Sequence, residues 1–189
     1  MADAGQVLEE ERDPREEALR VAALSQVRQY PDPVLKMQAR EVESFDDDLQ
    51  RLVERMKRLM KDAYGLGLAG NQVGILRRVF VFQPGEGDSL ALVNPRILER
   101  SDESETDQEG CLSMQGVRVP VERALSVTVE ANDPDGGELR LELTGLTARV
   151  AQHEIDHLDG VLILDRTDAD SRREALAVLR PQPVLGASR

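Results

Sequence analysis

Apolar residues recur at three-and-four spacing in the stretch after Ser44: Leu49, Leu52, Val53, Met56, Leu59, Met60 and Ala63 fall on one face. That period predicts an amphipathic helix. Ser44 is a candidate cap, Asp46 to Asp48 suit the positive end of the helix dipole, Lys57, Arg58 and Lys61 suit the other end, and Gly65 is a stop. The period then changes. Arg78-Val79-Phe80-Val81-Phe82 and Leu90-Ala91-Leu92-Val93 read as strands. Ser126 to Glu130 alternates, Asp133-Pro134-Asp135-Gly136-Gly137 turns the chain, and Leu139, Leu141 and Leu143 alternate on the return. Helical spacing resumes near Gly145, with Leu146, Val150, His153 and His157 on one side and Gly160 as its end. A last helical run, Ser171 to Leu179, stops before Pro181. Upstream, Pro31 and Pro33 exclude a regular helix and make an extended or turning segment.

Strands grouped between helices imply an α+β fold. The expectation is small antiparallel or mixed sheets around a central helix carrying the histidines, with an N-terminal and a C-terminal helix. Residues 1–17 read as an acidic, disordered tail, 18–180 as a single catalytic domain and 181–189 as a flexible end.

The formal charge of −12 is concentrated in two runs. Residues 1–17 hold seven acids and two bases, and residues 99–109 hold six acids and one base. Solvated surface is the simple reading of both, and the balance excludes wholesale binding of DNA or other nucleic acid. No apolar run is long enough for a membrane span, the acidic N-terminus lacks a signal-peptide core, and one cysteine makes no internal disulfide. A cytoplasmic protein is the expectation.

Chemistry is concentrated in three places. Both histidines lie in Gln152-His153-Glu154-Ile155-Asp156-His157-Leu158-Asp159-Gly160, and the sole cysteine lies in Glu109-Gly110-Cys111-Leu112-Ser113. On a helix, side chains at i and i+4 emerge one turn apart on one face, so His153 and His157 can grip one ion. A third ligand must come from elsewhere, and Cys111 is the natural candidate. Three protein ligands leave a position for water, and Glu154, beside His153, suits proton transfer better than ligation. Taken alone, His-Glu-x-x-His could be a solvated helix face and Cys111 an inert buried side chain; with only two histidines and one cysteine in the chain, the metal reading is stronger. The third place is Gly65-Leu66-Gly67-Leu68-Ala69-Gly70-Asn71-Gln72-Val73-Gly74. It follows a helix and lacks the lysine of a phosphate loop. Its glycines allow close backbone approach, and the Gln72 amide is suited to donate to a developing oxyanion.

Together, Gly65-Leu66-Gly67-Leu68-Ala69-Gly70-Asn71-Gln72, Glu109-Gly110-Cys111-Leu112-Ser113 and Gln152-His153-Glu154-Ile155-Asp156-His157-Leu158-Asp159-Gly160, in this order, resemble the peptide deformylase family. Tyr30-Pro31-Asp32-Pro33-Val34-Leu35 and Asn94-Pro95 are similar to further family segments, so the resemblance spans roughly residues 26 to 167. It departs at Gly70, where alanine is usual, and at Asp107, where an apolar residue is common.

The resemblance implies removal of the N-formyl group from the N-terminal formyl-methionine of newly synthesised polypeptides, by attack of metal-bound hydroxide on the formyl carbon. It implies Cys111, His153 and His157 as metal ligands and Glu154 as general base and acid. Gln72 and the Leu112 N–H would hold the oxyanion, Gly67 would bind substrate through its backbone, and Leu66 would line the methionine pocket. The implied cofactor is one divalent ion, Fe²⁺ in the cell, with Zn²⁺, Ni²⁺ or Co²⁺ in preparations. Residues 172–189 hold four Arg against Glu174, a charge that suits transient contact with the ribosome and equally the cationic bias of a helix end.

Two other readings compete. A zinc endopeptidase with an extended His-Glu-x-x-His motif needs histidine at 163, where Ile163 stands, and would otherwise require Glu174 as its third ligand. A non-catalytic metal-binding module needs neither Glu154 nor Gln72.

Overall fold

The computed structural model describes residues 13–85 and 87–180. The expected end at 181–189 and most of the expected acidic tail lie outside the described residues. Helix α1 spans Pro14–Leu24, so residues 14–17, expected as tail, are helical; Asp13 caps the helix, accepting from Arg15 N. A 3-10 turn covers Pro33–Lys36, capped by Asp32.

Helix α2 runs Asp47–Asp62, with Leu49, Val53, Met56, Leu59 and Met60 buried as the spacing predicts. Its cap is Asp46, not Ser44: the Asp46 carboxylate accepts from Leu49 N at 3.0 Å. That bond satisfies one of the amides a helix start leaves unpaired.

Seven strands follow: β1 (Gly67–Ala69), β2 (Val79–Phe82), β3 (Leu90–Arg100), β4 (Ser104–Cys111), β5 (Met114–Ala124), β6 (Ser126–Asn132) and β7 (Glu138–Thr144). A 3-10 turn, Gly70–Val73, follows β1. Strands β1-β2-β3-β6-β7 form one antiparallel sheet in that order, and β4 and β5 form a separate hairpin. The described residues end in α3 (Gly145–Leu158), α4 (Ile163–Arg166) and α5 (Ala169–Leu179). This is the expected α+β arrangement, with antiparallel sheets around the helix that carries both histidines.

Strand β2 explains how the larger sheet is held. All four of its residues are buried, and their side chains alternate between faces. Val79 and Val81 join α1 and α2 in one core, while Phe80 and Phe82 join Ala148, Ala151, Ile155 and Leu158 of α3 in another. The sheet is therefore covered on both sides where it approaches the histidine helix. Each fully buried large side chain contributes about 1.5–3 kcal/mol relative to exposure. A third core joins Val117, Val119 and Val121 of β5 to Leu35, Ile163, Leu164 and Ala175, and so docks the hairpin on α4 and α5. Leu146, in the first turn of α3 and expected on its packed side, is 53% exposed.

At the Asn94-Pro95 segment β3 changes register against β6. Asn94 has φ 52° there, and its side chain bonds both Val42 N (2.7 Å) and Val42 O (2.9 Å), which stabilises a conformation few side chains tolerate.

Candidate metal centre and its surroundings

Helix α3 presents His153 and His157 toward the turn between β4 and β5, where Cys111 ends its strand. The ligand atoms of Cys111, His153 and His157 all lie within 4.8 Å of one another. Cys111 Sγ is 3.2 Å from His157 Nε2, which is 3.2 Å from His153 Nε2. Two nitrogens bound at about 2.0–2.1 Å in tetrahedral geometry stand about 3.4 Å apart, so these spacings fit a single small cation. The donor set, one sulfur and two imidazoles, suits a borderline transition metal. Glu174 is exposed on α5 and is not part of this group.

The two imidazoles are supported differently. His153 Nδ1 lies 3.0 Å from Glu109 Oε2, which turns its Nε2 toward the cysteine. Glu109 is 5% exposed and is clasped by Arg123, with Nε 2.9 Å from Oε1 and Nη2 3.0 Å from Oε2, and by Arg149 at 2.9 Å. Burial alone raises the Glu109 carboxyl, but the hydrogen bonds and charges of His153 and Arg123 outweigh it and hold it well below the usual carboxylate range. His157 is fully buried, and its Nδ1 has no hydrogen-bond partner among the described residues. Burial pushes its pKa well down, and the charges of His153 and Arg123 add to that.

Glu154, next to His153 on the same helix, packs against Gly67 of β1. A Cβ on Gly67 would stand 2.3 Å from Glu154 Oε1, so only glycine leaves room for this carboxyl. Glu154 is 3% exposed, and its Oε2 is buried with no partner among the described residues. Burial lifts its pKa to about 7, with the Glu109 charge adding and the His153 and Arg123 charges opposing.

Gln72, 1% exposed, bridges the glycine-rich turn and the Cys111 turn. Its Oε1 accepts from Ala69 N at 2.9 Å, which directs the amide nitrogen toward Ser113 Oγ (3.1 Å) and Cys111 Sγ (3.5 Å). The segment before Pro31 ties the same two turns together. Arg28 N donates to Gln72 O at 2.7 Å, Gln29 Nε2 to Leu112 O at 3.0 Å, and Tyr30 N to Ser113 O at 2.9 Å. Leu112 is half-buried beside Cys111, and Leu66 is 49% exposed next to Gly67.

The structure thus gathers Cys111, His153, His157, Glu154, Gln72 and Gly67, with Leu112 and Leu66 at the margin. Sequence reasoning missed Glu109, Arg123, Arg149 and Ser113. Glu109 sits in an acidic run that reads as solvated surface; its three cationic or imidazole partners lie 14 to 44 residues downstream, where no local pattern connects them. The one available signal was its position two residues before the cysteine.

An α+β fold that sets a His-Glu-x-x-His helix against a cysteine turn defines a class of metal-dependent enzyme. The sequence model for polypeptide deformylase matches residues 24–173. The peptide deformylase of Natranaerobius thermophilus is 45% identical over 152 residues, 80% of this chain and 97% of that protein. Peptide deformylase 1 of Corynebacterium efficiens is 45% identical over 157 residues, 82% of this chain and 93% of that one. Among solved structures, the peptide deformylase of Thermotoga maritima matches with a TM-score of 0.73 at 44% identity, over 75% of this chain and 96% of that one. The Synechococcus elongatus enzyme in complex with actinonin matches with a TM-score of 0.78 at 39% identity, over 80% of this chain and 85% of that one. The chain belongs to the polypeptide deformylase family, and is an amide hydrolase of that kind.

Proposed function

We propose that the protein removes the formyl group from the N-terminal formyl-methionine of nascent polypeptides, using one divalent ion held by Cys111 Sγ, His153 Nε2 and His157 Nε2. The observation that carries this reading is the convergence of those three atoms at the helix that also carries Glu154, a buried carboxyl whose Oε2 has no partner among the described residues. When bound, the ion supplies Lewis acidity, polarising the formyl group and acidifying water. The family resemblance favours Fe²⁺ in the cell, with Zn²⁺, Ni²⁺ or Co²⁺ as replacements in preparations.

The chain's own groups divide the remaining work. Glu154 accepts a proton as water adds to the formyl carbon and returns it to the nitrogen as the C–N bond breaks, releasing formate and a free amine. Gln72 Nε2 and the Leu112 N–H hold the oxygen that gains charge in that step. The orientation of the Gln72 amide, set by Ala69 N, supports this role. Strand β1 is an edge of its sheet and contains Gly67, so an extended substrate can pair along it. Leu66, beside that edge, lines the methionine side-chain site. The same reading places the enzyme in the cytoplasm, in transient contact with the ribosome; no helix among the described residues is long and apolar enough to cross a membrane.

The test is hydrolysis of formyl-Met-Ala by protein prepared without oxygen, with metal content measured in parallel. Turnover that stops on chelation and returns with a divalent ion is the expected result. Metal-loaded protein that leaves the peptide intact over hours would overturn the reading. A thiolate-ligated Fe²⁺ preparation should lose activity in air, whereas the Zn²⁺ or Ni²⁺ form should keep it.

A further inference from the structure

The charges behind His153 continue past Glu109 to the surface. Arg123 also reaches Asp156, with Nη1 2.5 Å from Oδ2. Asp156 is 8% exposed, and Arg166 grips it from the other side, with Nη2 2.6 Å from Oδ1 and Nε 3.0 Å from Oδ2. Arg166 is the last residue of α4, and its side chain is 46% exposed. Helix α4 is itself anchored, because Asp165 accepts from Leu162 N and pairs with Lys36. Arg166, Asp156, Arg123, Glu109 and His153 therefore form one continuous line of ion pairs and hydrogen bonds, running from solvent to a candidate ligand ring.

We propose that Arg166 is a positioning residue for the metal centre, acting through Asp156 and Arg123 on the Glu109–His153 contact. The inference rests on the reading that Cys111, His153 and His157 hold a metal ion. Arg123 is shared by two buried carboxylates, and each is best satisfied by a two-point contact with a guanidinium. Arg166 gives Asp156 its own two-point partner, which leaves Arg123 free to keep both Nε and Nη2 on Glu109. Without Arg166, the buried Asp156 carboxylate draws Arg123 toward itself and loosens the clasp that orients His153. Arg149 still holds Glu109 Oε1, which limits the effect.

The experiment uses full-length protein loaded with Co²⁺ without oxygen. It reads the visible absorption bands of the bound ion, the Co²⁺ dissociation constant by chelator competition, and thermal stability. Replacing a direct outer partner of a metal ligand weakens metal binding by about 10–100-fold. Arg166→Ala, acting further away, should weaken it by about 3–10-fold and shift the cobalt bands. Arg166→Lys should restore part of the loss, since an ammonium makes a single-point contact. Combining Arg166→Ala with Asp156→Asn should weaken binding less than the product of the two single effects. Arg173→Ala, which removes an exposed pair on α5, should change neither the bands nor the affinity. Wild-type bands and affinity in Arg166→Ala would overturn the proposal, as would a loss of thermal stability with an unchanged spectrum. If wild-type protein binds Co²⁺ and Arg166→Ala shifts it as stated, yet neither hydrolyses formyl-Met-Ala, the functional reading fails while this inference holds.

Discussion

The two walls of the site are built by different physics. On the hairpin wall, Cys111 and Glu109 come from β4 and Arg123 from β5, and the parts are locked by buried charge: a two-point guanidinium clasp on a carboxylate that in turn fixes an imidazole. On the glycine-rich wall, β1 and the turn after it hold almost no charge. They work by closeness, with Gly67 in contact with Glu154 and the Gln72 amide fixed by one backbone N–H. Holding a cation requires directed donors whose orientation is fixed in advance. Receiving a peptide requires bare backbone and space. Separating the two tasks lets ligand geometry be rigid without narrowing the substrate side.

The largest effect should come from the group that stands between the walls. Glu154→Ala is expected to lower kcat by about 10²–10⁴-fold, the range for loss of a general acid–base group. Metal content should be unchanged by elemental analysis, since the proposed role of Glu154 is proton transfer and Cys111, His153 and His157 are the candidate ligands. Metal loss in that variant would erase the distinction between the walls.

Gly67→Ala tests the glycine-rich wall. The new Cβ would overlap Glu154 Oε1, so the carboxyl must move. The expected result is a kcat lower by about 10²-fold, the consequence of roughly 1 Å of misplacement, with metal affinity retained. Arg123→Lys tests the other wall. A lysine cannot reproduce the fork on Glu109, so metal binding should weaken by about 10-fold or more in chelator competition. Turnover of the fully loaded variant should fall less than in Gly67→Ala.

The smallest effect concerns the anchor of α4. Burial raises the Asp165 carboxyl, but the Lys36 ammonium and the Leu162 N–H together outweigh it, so its pKa is lowered in the folded protein. A lowered carboxyl pKa contributes stability above the unfolded value, about 3.9, and that contribution is lost as pH falls through the folded value. The pair is partly exposed, with Lys36 50% and Asp165 31% accessible. Solvent screening then limits its worth to about 0.5 kcal/mol. Lys36→Ala should lower stability by that amount at pH 7 and by nothing once the carboxyl is protonated, read by denaturant unfolding at the two pH values.

The same contrast governs what was legible in the sequence. Helix α2, strand β2, the Asp133–Gly137 turn and the histidine helix all follow from local period and turn chemistry. The metal trio followed from scarcity, since no other soft ligands exist beyond methionine. The hairpin wall was hidden. Residues 104–111 carry acids at positions that face water and also at Glu109, which faces inward, and nothing within the run marks the difference. Its meaning depends on Arg123, Arg149 and His153, which only the folded chain brings together. Gly70 is a similar case on the other wall. It departs from the family's usual alanine, yet a Cβ there would stand 2.7 Å from Arg77 O and 2.8 Å from Ile75 O. The backbone after the turn folds back over this position, and glycine is what permits it.

X-ray absorption at the metal edge of Zn²⁺-loaded protein tests whether one ion is held by Cys111, His153 and His157. The expected shell has one sulfur at about 2.3 Å and two imidazole nitrogens at about 2.0–2.1 Å, with a lighter oxygen completing it. A shell of nitrogen and oxygen alone, with no sulfur, would contradict it.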